Sequence, residues 1–513
     1  MVMMTALHRR LAFSHRAVTA FRSWLGAVVL FELLERLAAL RWLYTDVGAF
    51  PRWAVMPPSD VAPVLHVLCV HAWSGDVLWQ YALVGAQAVA AVALCAGARP
   101  RAAAAVCWAL HWSSMLRNPQ LSFIFDRYLH VLLLLAACMP TDRARPRVSA
   151  ATCALAAQLL LIYVDAGYHK LTSPDAAWSV GAEVAALDTY LRHTPVARLT
   201  RWLLGARGLR YAGAAAAWLE LAIAPLALAA PTQTARRCCI AAAVSLHVGI
   251  AMTMRNTVAL SAAAVAAWIP LIDGPLSAEP PSQLPPGTPA SRAKDAATEE
   301  DERASGTADH AVIDGLSAAL VWLLALGSAW HQFSDFGAPA CAASASGASD
   351  LVQATLLHNR WNVFTGAEPF VVWEVAPARL DDGSIVDLWR GTDAVAWDVP
   401  RGRAPSIRAG RWRSWPYLAE RTTEADAVFW GALCDEWESR DGRQVVSFVF
   451  YLMQADVVPF DAAPAELDAS AASTSEPAAS TPWAGYLPEY GNVRKRRLRQ
   501  FSCLERRHGA LRE

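Results

Sequence analysis

One short segment combines residue types that are suited to acid–base chemistry. Asp165 lies four residues before His169, and Lys170 follows directly. In a helix this spacing places the carboxylate and the imidazole on one face, where the carboxylate can orient the imidazole and select its tautomer. A lysine in apolar surroundings can lose its proton through desolvation. The three residues predict a general base for a weakly acidic, lipophilic substrate; a lysine that only extends towards lipid headgroups is the alternative.

The scarcity of lysine strengthens this prediction. Lys170, Lys294 and Lys495 stand against 42 arginines, so the chain uses arginine at almost every position that needs a cation. Arginine stays protonated in proteins, whereas a desolvated lysine can release its proton. A lysine that is retained beside an apolar run is therefore a candidate base.

Further ionisable residues stand inside apolar runs, where each is costly and therefore a candidate for function. Glu32 and Arg36 are one helical turn apart and predict a buried ion pair that locks helix packing. Asp126, Glu220 and His247 are candidates to line a cavity between helices, and packing contacts are the alternative for each of them.

Several function classes lose support from the sequence. The counts of Lys+Arg and Asp+Glu are both 45, so no charge excess indicates nucleic acid. The ten cysteines form no CxxC pair, and no metal site is expected. No GxSxG, HExxH, P-loop or GxGxxG motif is present, which disfavours hydrolase, zincin and kinase functions.

The elements that position these residues are predicted to be membrane helices. The chain has 513 residues, of which 55% are hydrophobic, and about 20 apolar residues suffice to cross a bilayer. Nine apolar runs occur, at 19–43, 77–97, 102–116, 120–139, 149–169, 211–230, 237–254, 257–273 and 311–330. The predicted fold class is an all-α polytopic membrane bundle of about nine transmembrane helices, followed by a small β-rich outer or lumenal domain.

Arginine-rich loops assign an orientation to this bundle. We expect a cytoplasmic N-terminus (1–18), the bundle (19–274), a disordered cytoplasmic loop (275–308) and a last transmembrane helix (309–332). An odd number of crossings then places residues 333–513 outside the cytoplasm. The arginine-rich loop 170–210 departs from the orientation rule.

Apolar residues recur at helical spacing within that loop, at Val180, Val184, Leu187 and Leu191 and again at Leu199, Trp202 and Leu203. This pattern predicts short amphipathic helices at the membrane interface. They form either a lid over the bundle or ordinary interfacial packing.

The C-terminal region is predicted to be a β-rich domain. Three β-prone runs, Phe370–Val375, Ile385–Trp389 and Val445–Leu452, are accompanied by a turn signal at Asp381-Asp382-Gly383. Residues 461–481 are rich in Ala, Ser, Pro and Glu and predict a disordered insertion. The basic run Arg494–Arg499 is expected to be a solvated tail.

A series of motifs in a common order resembles a known membrane module. The matching pieces are Tyr44 to Arg52; Arg117-Asn118-Pro119 with Asp126-Arg127; Ala166 to Leu171 with Trp178 and Gly181; Trp218, Glu220 and Pro225; His247 with Met254-Arg255; Arg360 to Phe364; and Arg411-Trp412-Arg413. Together they resemble the horizontally transferred transmembrane (HTTM) domain that is shared with vitamin K-dependent gamma-carboxylases. The resemblance covers most of residues 15–455.

The resemblance implies a carboxylase-like lyase in which Lys170 deprotonates vitamin K hydroquinone or another quinol. Oxygen and CO2 would be co-substrates, and a glutamate of a secreted peptide would be the acceptor. It also implies a disulfide between an outer loop and the lumenal domain, a role that falls on Cys69 and Cys434. The alternative is a non-catalytic membrane module, in contact with lipid, that matures, exports or neutralises a secreted peptide.

Overall fold

The computed structural model describes most of the helical region and part of the C-terminal region. The described residues are 10–56, 63–141, 148–254, 256–273, 361, 363–400, 408, 410–415, 426–460 and 490–504, with isolated positions at 315, 318 and 319. The predicted loop 275–308 and the insertion 461–481 lie outside them. The predicted last helix, 309–332, lies outside them too, apart from the isolated positions.

Eight helices form the first part of the chain. Their bounds are α1 His15–Leu37, α2 Val77–Cys95, α3 Pro100–Arg117, α4 Ile124–Cys138, α5 Ala150–Leu171, α6 Pro195–Ala229, α7 Gln233–Thr253 and α8 Val258–Trp268. Shorter helices cover Leu40–Tyr44, Arg52–Val55, Pro63–Leu68 and Ala186–Tyr190, and 3-10 turns cover Val70–Ala72, Pro119–Leu121 and Ile269–Leu271. Eight of the nine predicted apolar runs therefore fall on helices.

Polar caps explain where several of these helices begin. Asp76 accepts hydrogen bonds from the backbone N–H groups of Leu78 and Trp79 at the start of α2. Ser149 and Thr152 form a reciprocal capping box at the start of α5. Each cap satisfies backbone donors that the helix itself leaves unpaired.

Within the described residues, five helices, α1, α2, α5, α6 and α7, are long and apolar enough to cross a membrane. The chain thus has the character of a multi-pass membrane protein. The predicted number of nine crossings is not confirmed, because α4 has 15 residues and α8 has 11, and the ninth run lies largely outside the described part of the chain.

The long helix α6 is interrupted near its start. Gly205 adopts a φ of 61° and a ψ of 179°, which breaks the helical geometry; glycine tolerates this conformation because it lacks a Cβ atom. Before the break, Trp202 and Leu203 are exposed. This is the amphipathic surface helix that the sequence predicts for 199–203, whereas the predicted helix around 180–191 is reduced to Ala186–Tyr190.

The described part of the C-terminal region contains one antiparallel sheet and one longer helix. The strands are β1 Phe370–Val375, β2 Pro377–Leu380, β3 Ile385–Asp387, β4 Val445–Val457 and β5 Tyr490–Ser502. A 3-10 turn covers Gly410–Ser414, and α9 covers Asp426–Asp441. β4 is central, because β1 and β2 pair with consecutive parts of it while β5 pairs along almost its whole length. β3 extends the sheet next to β2.

The three predicted β-prone runs are confirmed as strands, and the predicted turn is present between β2 and β3. The turn at Asp381–Gly383 joins β2 to β3, and the backbone N–H of Gly383, at a φ of 83°, donates to the carbonyl of Leu380. The basic run Arg494–Arg499 belongs to β5, so its interpretation as a tail is wrong. The run lacks apolar alternation and becomes a strand through backbone pairing with β4.

The disulfide pairing also differs from the expected one. Cys434 on α9 is bonded to Cys503, directly after β5, while Cys69 is a free, buried thiol. The Sγ of Cys69 lies 3.1 Å from the carbonyl oxygen of Ser113 on α3. Cys69 therefore packs inside the helical region, and Cys434 packs against the sheet where β5 ends.

We expect the change Cys434→Ala to lower the free energy of unfolding by about 2–4 kcal/mol, because the bond closes a long loop and restricts the unfolded chain. Its two cysteines are 69 residues apart. The readout is thermal unfolding followed by tryptophan fluorescence. The control is Cys153→Ala, which removes an exposed free thiol and should leave the midpoint unchanged. Equal midpoints for both variants would contradict the prediction.

Candidate functional site

Lys170 lies at the C-terminal end of α5 and is almost completely buried. Its Nζ is 2.5 Å from the Oε2 of Glu220 on α6, and the side chains are 4% and 11% exposed. Nζ also lies 5.3 Å from the centroid of the Trp178 ring, a geometry suited to a cation–π contact. Lys170 therefore does not extend towards headgroups; it joins two membrane helices through an ion pair.

Close contact between α5 and α6 makes this ion pair possible. Gly167 faces α6 so closely that a Cβ at this position would lie 2.5 Å from the backbone nitrogen of Leu221 and 2.7 Å from its Cα. Leu221 follows Glu220 directly. Small residues at such crossings let helix backbones approach each other. Here the close approach brings the Nζ of Lys170 within hydrogen-bond distance of Glu220.

The change Gly167→Ala is expected to force the two helices apart and to lower the free energy of unfolding by about 1–3 kcal/mol, the usual cost of overpacking. A Cβ added at Gly249, in α7, meets nothing within 4 Å, so Gly249→Ala is the matched control and should be neutral or slightly stabilising. Thermal unfolding of both variants tests this. Similar behaviour of the two would show that the crossing adapts without cost.

A hydrogen-bond chain lies in the same part of the bundle. The Nε1 of Trp268 donates to the hydroxyl oxygen of Tyr163 at 2.8 Å, and that hydroxyl lies 2.5 Å from the Nε2 of His247. A tryptophan indole can only donate, so the Tyr163 oxygen is the acceptor of the bond from Trp268. The hydroxyl of Tyr163 is also hydrogen-bonded to His247, with the donor of that bond set by the tautomer of the imidazole.

The chain and the ion pair are neighbours. Tyr163 and Lys170 both lie on α5, and their partners His247 and Glu220 lie on α7 and α6. Tyr163 lies seven residues before Lys170, so the two share one face of α5. The hydrogen-bond chain through Tyr163 and the Lys170–Glu220 pair therefore start from one face of α5.

Trp178 contributes an unsatisfied donor to this site. Its side chain is 5% exposed, and its Nε1 has no hydrogen-bond partner within the described part of the chain. The ring stacks on Tyr190 with centroids 6.2 Å apart. Buried polar groups are usually paired, so an unpaired indole N–H beside Lys170 is available to an acceptor atom of a ligand.

The structure separates the three residues that the sequence groups together. Asp165 and His169 do form the expected couple, with His169 Nε2 3.2 Å from Asp165 Oδ1. The other carboxylate oxygen of Asp165 accepts a 2.8 Å hydrogen bond from the backbone N–H of Trp361. This couple therefore contacts the chain that enters the C-terminal region, while Lys170 contacts Glu220 and Trp178.

Asp126 belongs to a second buried cluster. The guanidinium of Arg411 binds both carboxylate oxygens of Asp126, at 2.5 and 2.6 Å, and also donates to Glu32. The predicted pair Glu32–Arg36 is confirmed at 2.7 Å, and all four side chains are buried. Arg411 comes from the C-terminal region, so this cluster joins that region to α1 and α4.

The same cluster contains a candidate set of metal ligands. Atoms of Glu32, His111 and Asp126 lie within 4.8 Å of one another. The guanidinium of Arg411 already donates to both carboxylates. The positive charge that balances these carboxylates is therefore supplied by the protein itself.

A third set of contacts docks the C-terminal region on the segment between α5 and α6. Asp188 accepts hydrogen bonds from Arg192, from Arg201 and from the backbone N–H of Phe460. Arg192 also donates to the carbonyl of Val458 at 2.7 Å. The 170–210 segment thus acts as a platform for the C-terminal region.

Asp175 belongs to this platform. Burial raises the pKa of its carboxyl, but hydrogen bonds from Ser173 and from the backbone N–H groups of Ala367 and Ala177 outweigh burial and hold the pKa below its ordinary value. A carboxyl whose pKa is lowered by folding stabilises the protein above its unfolded pKa, and this stabilisation is lost as the pH falls through the folded value.

Asp175→Asn is therefore expected to lower the unfolding midpoint at pH 7, with the difference from wild type shrinking as acidification below the ordinary aspartate range protonates the wild-type carboxyl as well. Midpoints of both proteins measured from pH 7 to pH 3 test this. Because the two proteins share all their other titratable groups, the difference between their midpoints removes the effects of those groups on stability. A difference that stays constant over the whole range would exclude the charge of Asp175 as its source.

The fold and the site define a class, a multi-pass membrane protein with a buried Lys–Glu pair between two of its long apolar helices. Comparison with family models, with curated proteins and with solved structures finds no match to this chain.

The residues that sequence reasoning missed as participants in polar contacts include Tyr163, Trp178, Trp268 and Arg411. The seven-residue spacing of Tyr163 from Lys170 is a usable signal for the first of them. No local pattern connects Trp268 or Arg411 to its partners, which are 105 and 285 residues away.

Proposed function

We propose that the Lys170–Glu220 pair is an acid–base centre for a weakly acidic, lipophilic substrate that enters from the bilayer. The single observation that carries this proposal is the burial of a 2.5 Å Lys–Glu pair between two helices that can span a membrane. Ionisable residues in such positions are costly, and they commonly mark substrate or proton pathways.

The ion pair suggests a division of roles. The ammonium of Lys170 already carries its proton, so the carboxylate of Glu220 is the group that can accept one. When a substrate hydroxyl gives its proton to Glu220, the hydroxyl oxygen becomes an anion, and Lys170 is placed to stabilise that charge. The unpaired N–H of Trp178 supplies a further donor to the same oxygen.

The substrate class that fits these groups is a quinol. Its hydroxyl is weakly acidic, and its ring and tail are apolar. In line with the resemblance to carboxylases, we extend the proposal to vitamin K hydroquinone or another quinol, with O2 and CO2 as co-substrates and a secreted peptide glutamate as acceptor. Such a reaction would make the protein a carboxylase-like lyase.

We further propose that the C-terminal region is extracytoplasmic and the N-terminus cytoplasmic. The disulfide Cys434–Cys503 supports this orientation, because disulfides persist in oxidising compartments. A glutamate of a secreted peptide would then approach from the side on which the sheet lies.

A non-catalytic partner protein is the second candidate, and the closed ion pair favours it. A lysine whose three protons face a carboxylate and an aromatic ring can serve packing alone. In that case the protein would mature, export or neutralise a secreted peptide without chemistry at Lys170.

Quinol oxidation by the purified protein in lipid nanodiscs distinguishes these candidates. Wild type, Lys170→Arg and Glu220→Gln are compared with several reduced quinones, a glutamate-rich peptide and labelled bicarbonate. Loss of turnover in Glu220→Gln with partial retention in Lys170→Arg would support the division of roles, because arginine keeps the charge but cannot act as a base. Loss of turnover in both variants would instead assign the role of base to Lys170. A folded wild type that oxidises none of the quinols would favour the partner protein.

A further inference from the structure

A buried arginine near the start of α7 lacks an anionic partner among the described residues. Arg236 is the fourth residue of α7, and its side chain is fully buried. Its Nε and Nη2 have no hydrogen-bond partner within the described part of the chain, and its Nη1 lies 3.5 Å from the carbonyl oxygen of Arg10. Burial of a guanidinium without a counter-charge is costly, so an anion would stabilise this position.

Two other arginines at this end of the bundle show how the protein usually satisfies such a side chain. Arg237, the next residue, is exposed and pairs with Asp273 at 3.2 Å. Arg22 on α1 is buried like Arg236, but it donates three hydrogen bonds of 2.7 to 3.0 Å to two carbonyl oxygens at the end of α4. Arg236 has neither kind of partner within the described residues, so contacts inside the protein do not explain its burial.

The chain segments that meet at Arg236 carry no carboxylate of their own. Residues 1–31 and 221–272 contain no Asp or Glu. Arg10 precedes α1, and its Nη1 donates to the carbonyl of Leu228, near the end of α6, at 2.8 Å. The segment before α1, the end of α6 and the start of α7 therefore bring two arginines together without an acidic residue between them.

The position of Arg236 at a membrane boundary indicates which anion it would meet. The helices α6 and α7 are both long and apolar enough to cross a membrane, and Arg236 lies where α7 begins. Leu226, two residues before the α6 carbonyl that Arg10 contacts, is exposed and offers an apolar surface to an acyl chain. The helix dipole favours negative charge at the start of α7, and basic pockets between membrane helices bind phospholipid head groups.

We propose that Arg236 and Arg10 bind the phosphate of an anionic phospholipid at the junction of α6 and α7. The Nε and Nη2 of Arg236 form one edge of the guanidinium, which suits two oxygens of a single phosphate. Because this edge is buried, binding requires neighbouring side chains at the junction to move apart. A zwitterionic lipid is disfavoured, since its ammonium group would lie near two cations. This binding does not rest on the acid–base role of Lys170.

Thermal unfolding of the full-length protein in detergent micelles tests this proposal with phosphatidylglycerol, phosphatidylcholine and inorganic phosphate as probes. We expect phosphatidylglycerol to raise the unfolding midpoint of wild type, because a ligand of the folded state stabilises it, and the other two probes to leave the midpoint nearly unchanged. Titration with the lipid gives an apparent Kd. Arg236→Gln is expected to raise this Kd by about tenfold to a hundredfold, since hydrogen bonds between charged groups are lost. Arg236→Lys keeps the charge without the two-pronged edge and should bind with intermediate affinity.

The adjacent arginine supplies a matched control for charge. Arg237→Gln removes one cation from the same turn of α7, at an exposed position, and should bind phosphatidylglycerol as wild type does. Without added lipid, Arg236→Gln should unfold at no lower midpoint than wild type, because the change removes a buried charge that lacks a partner. A loss of lipid binding is then distinct from a loss of fold.

Three results would overturn the proposal. The first is a wild-type midpoint that phosphatidylglycerol does not raise. The second is an equal rise with inorganic phosphate, which would mean a site for free anions and not for lipid. The third is equal weakening of lipid binding in Arg236→Gln and Arg237→Gln, which would mean unspecific attraction between the lipid and the basic end of the bundle.

Discussion

Lys170→Met is expected to lower quinol turnover by about a hundredfold to a thousandfold, the range found when one group that stabilises a developing oxyanion is removed. It is also expected to lower the free energy of unfolding by about 3–5 kcal/mol, because the change leaves Glu220 as a buried charge without its partner. Glu220→Met should have the same two effects for the converse reason. Turnover in nanodiscs and thermal unfolding measure them.

The double variant Lys170→Met/Glu220→Met separates chemistry from packing. It removes both charges and replaces them by apolar side chains, so stability should return close to that of wild type, while turnover should stay lost. Recovery of turnover together with stability would mean that the pair is only packing. A double variant that stays as unstable as the single ones would instead point to contacts other than the ion pair, such as that between Lys170 and Trp178.

Arg411→Met is expected to produce the largest loss of stability in the C-terminal region. It removes the cation that both Asp126 and Glu32 contact and leaves two buried carboxylates with Arg36 as the neighbouring cation. Removal of one partner of a buried ion pair lowers the free energy of unfolding by about 3–5 kcal/mol. Because Arg411 joins the C-terminal region to α1 and α4, we also expect increased proteolysis of that region.

A second change tests the charge argument directly. Adding Asp126→Asn to Arg411→Met removes one of the two carboxylates, and the remaining Glu32–Arg36 pair is then balanced, so part of the stability should return. Arg443→Met serves as the control, since Arg443 pairs with the acidic residues Asp441 and Asp393 at the surface, where such pairs contribute little. If Arg411→Met and Arg443→Met shift the unfolding midpoint equally, the buried cluster does not stabilise the contact between the regions.

The positions of the clusters suggest how the two regions communicate. The C-terminal region contacts the bundle through Asp165, through the cluster around Arg411, and through the platform at Asp188. The first of these contacts lies on α5, one turn before Lys170. A change in the contact between Trp361 and Asp165 would therefore act on the helix that carries the ion pair.

Local properties of the sequence were sufficient for much of the fold. Apolar runs placed eight helices, polar caps begin several of them, and short β-prone runs placed β1, β3 and most of β4. The Asp165–His169 couple and the Glu32–Arg36 pair were also predictable, because residues four apart share one face of a helix. The strand β5 was not predictable from the sequence, because a charged strand forms through pairing with a neighbour and has no apolar alternation of its own.

By itself the sequence determined that this is a membrane protein with ionisable residues inside its helices. Tertiary structure alone decided which of those residues meet. Lys170 and Glu220 are 50 residues apart, and Arg411 and Asp126 are 285 apart. Periodicity tells which face of a helix is polar, but the partner depends on how helices cross and rotate. At α5 and α6 that crossing rests on the missing side chain of Gly167, and it brings Glu220 within hydrogen-bond distance of Lys170.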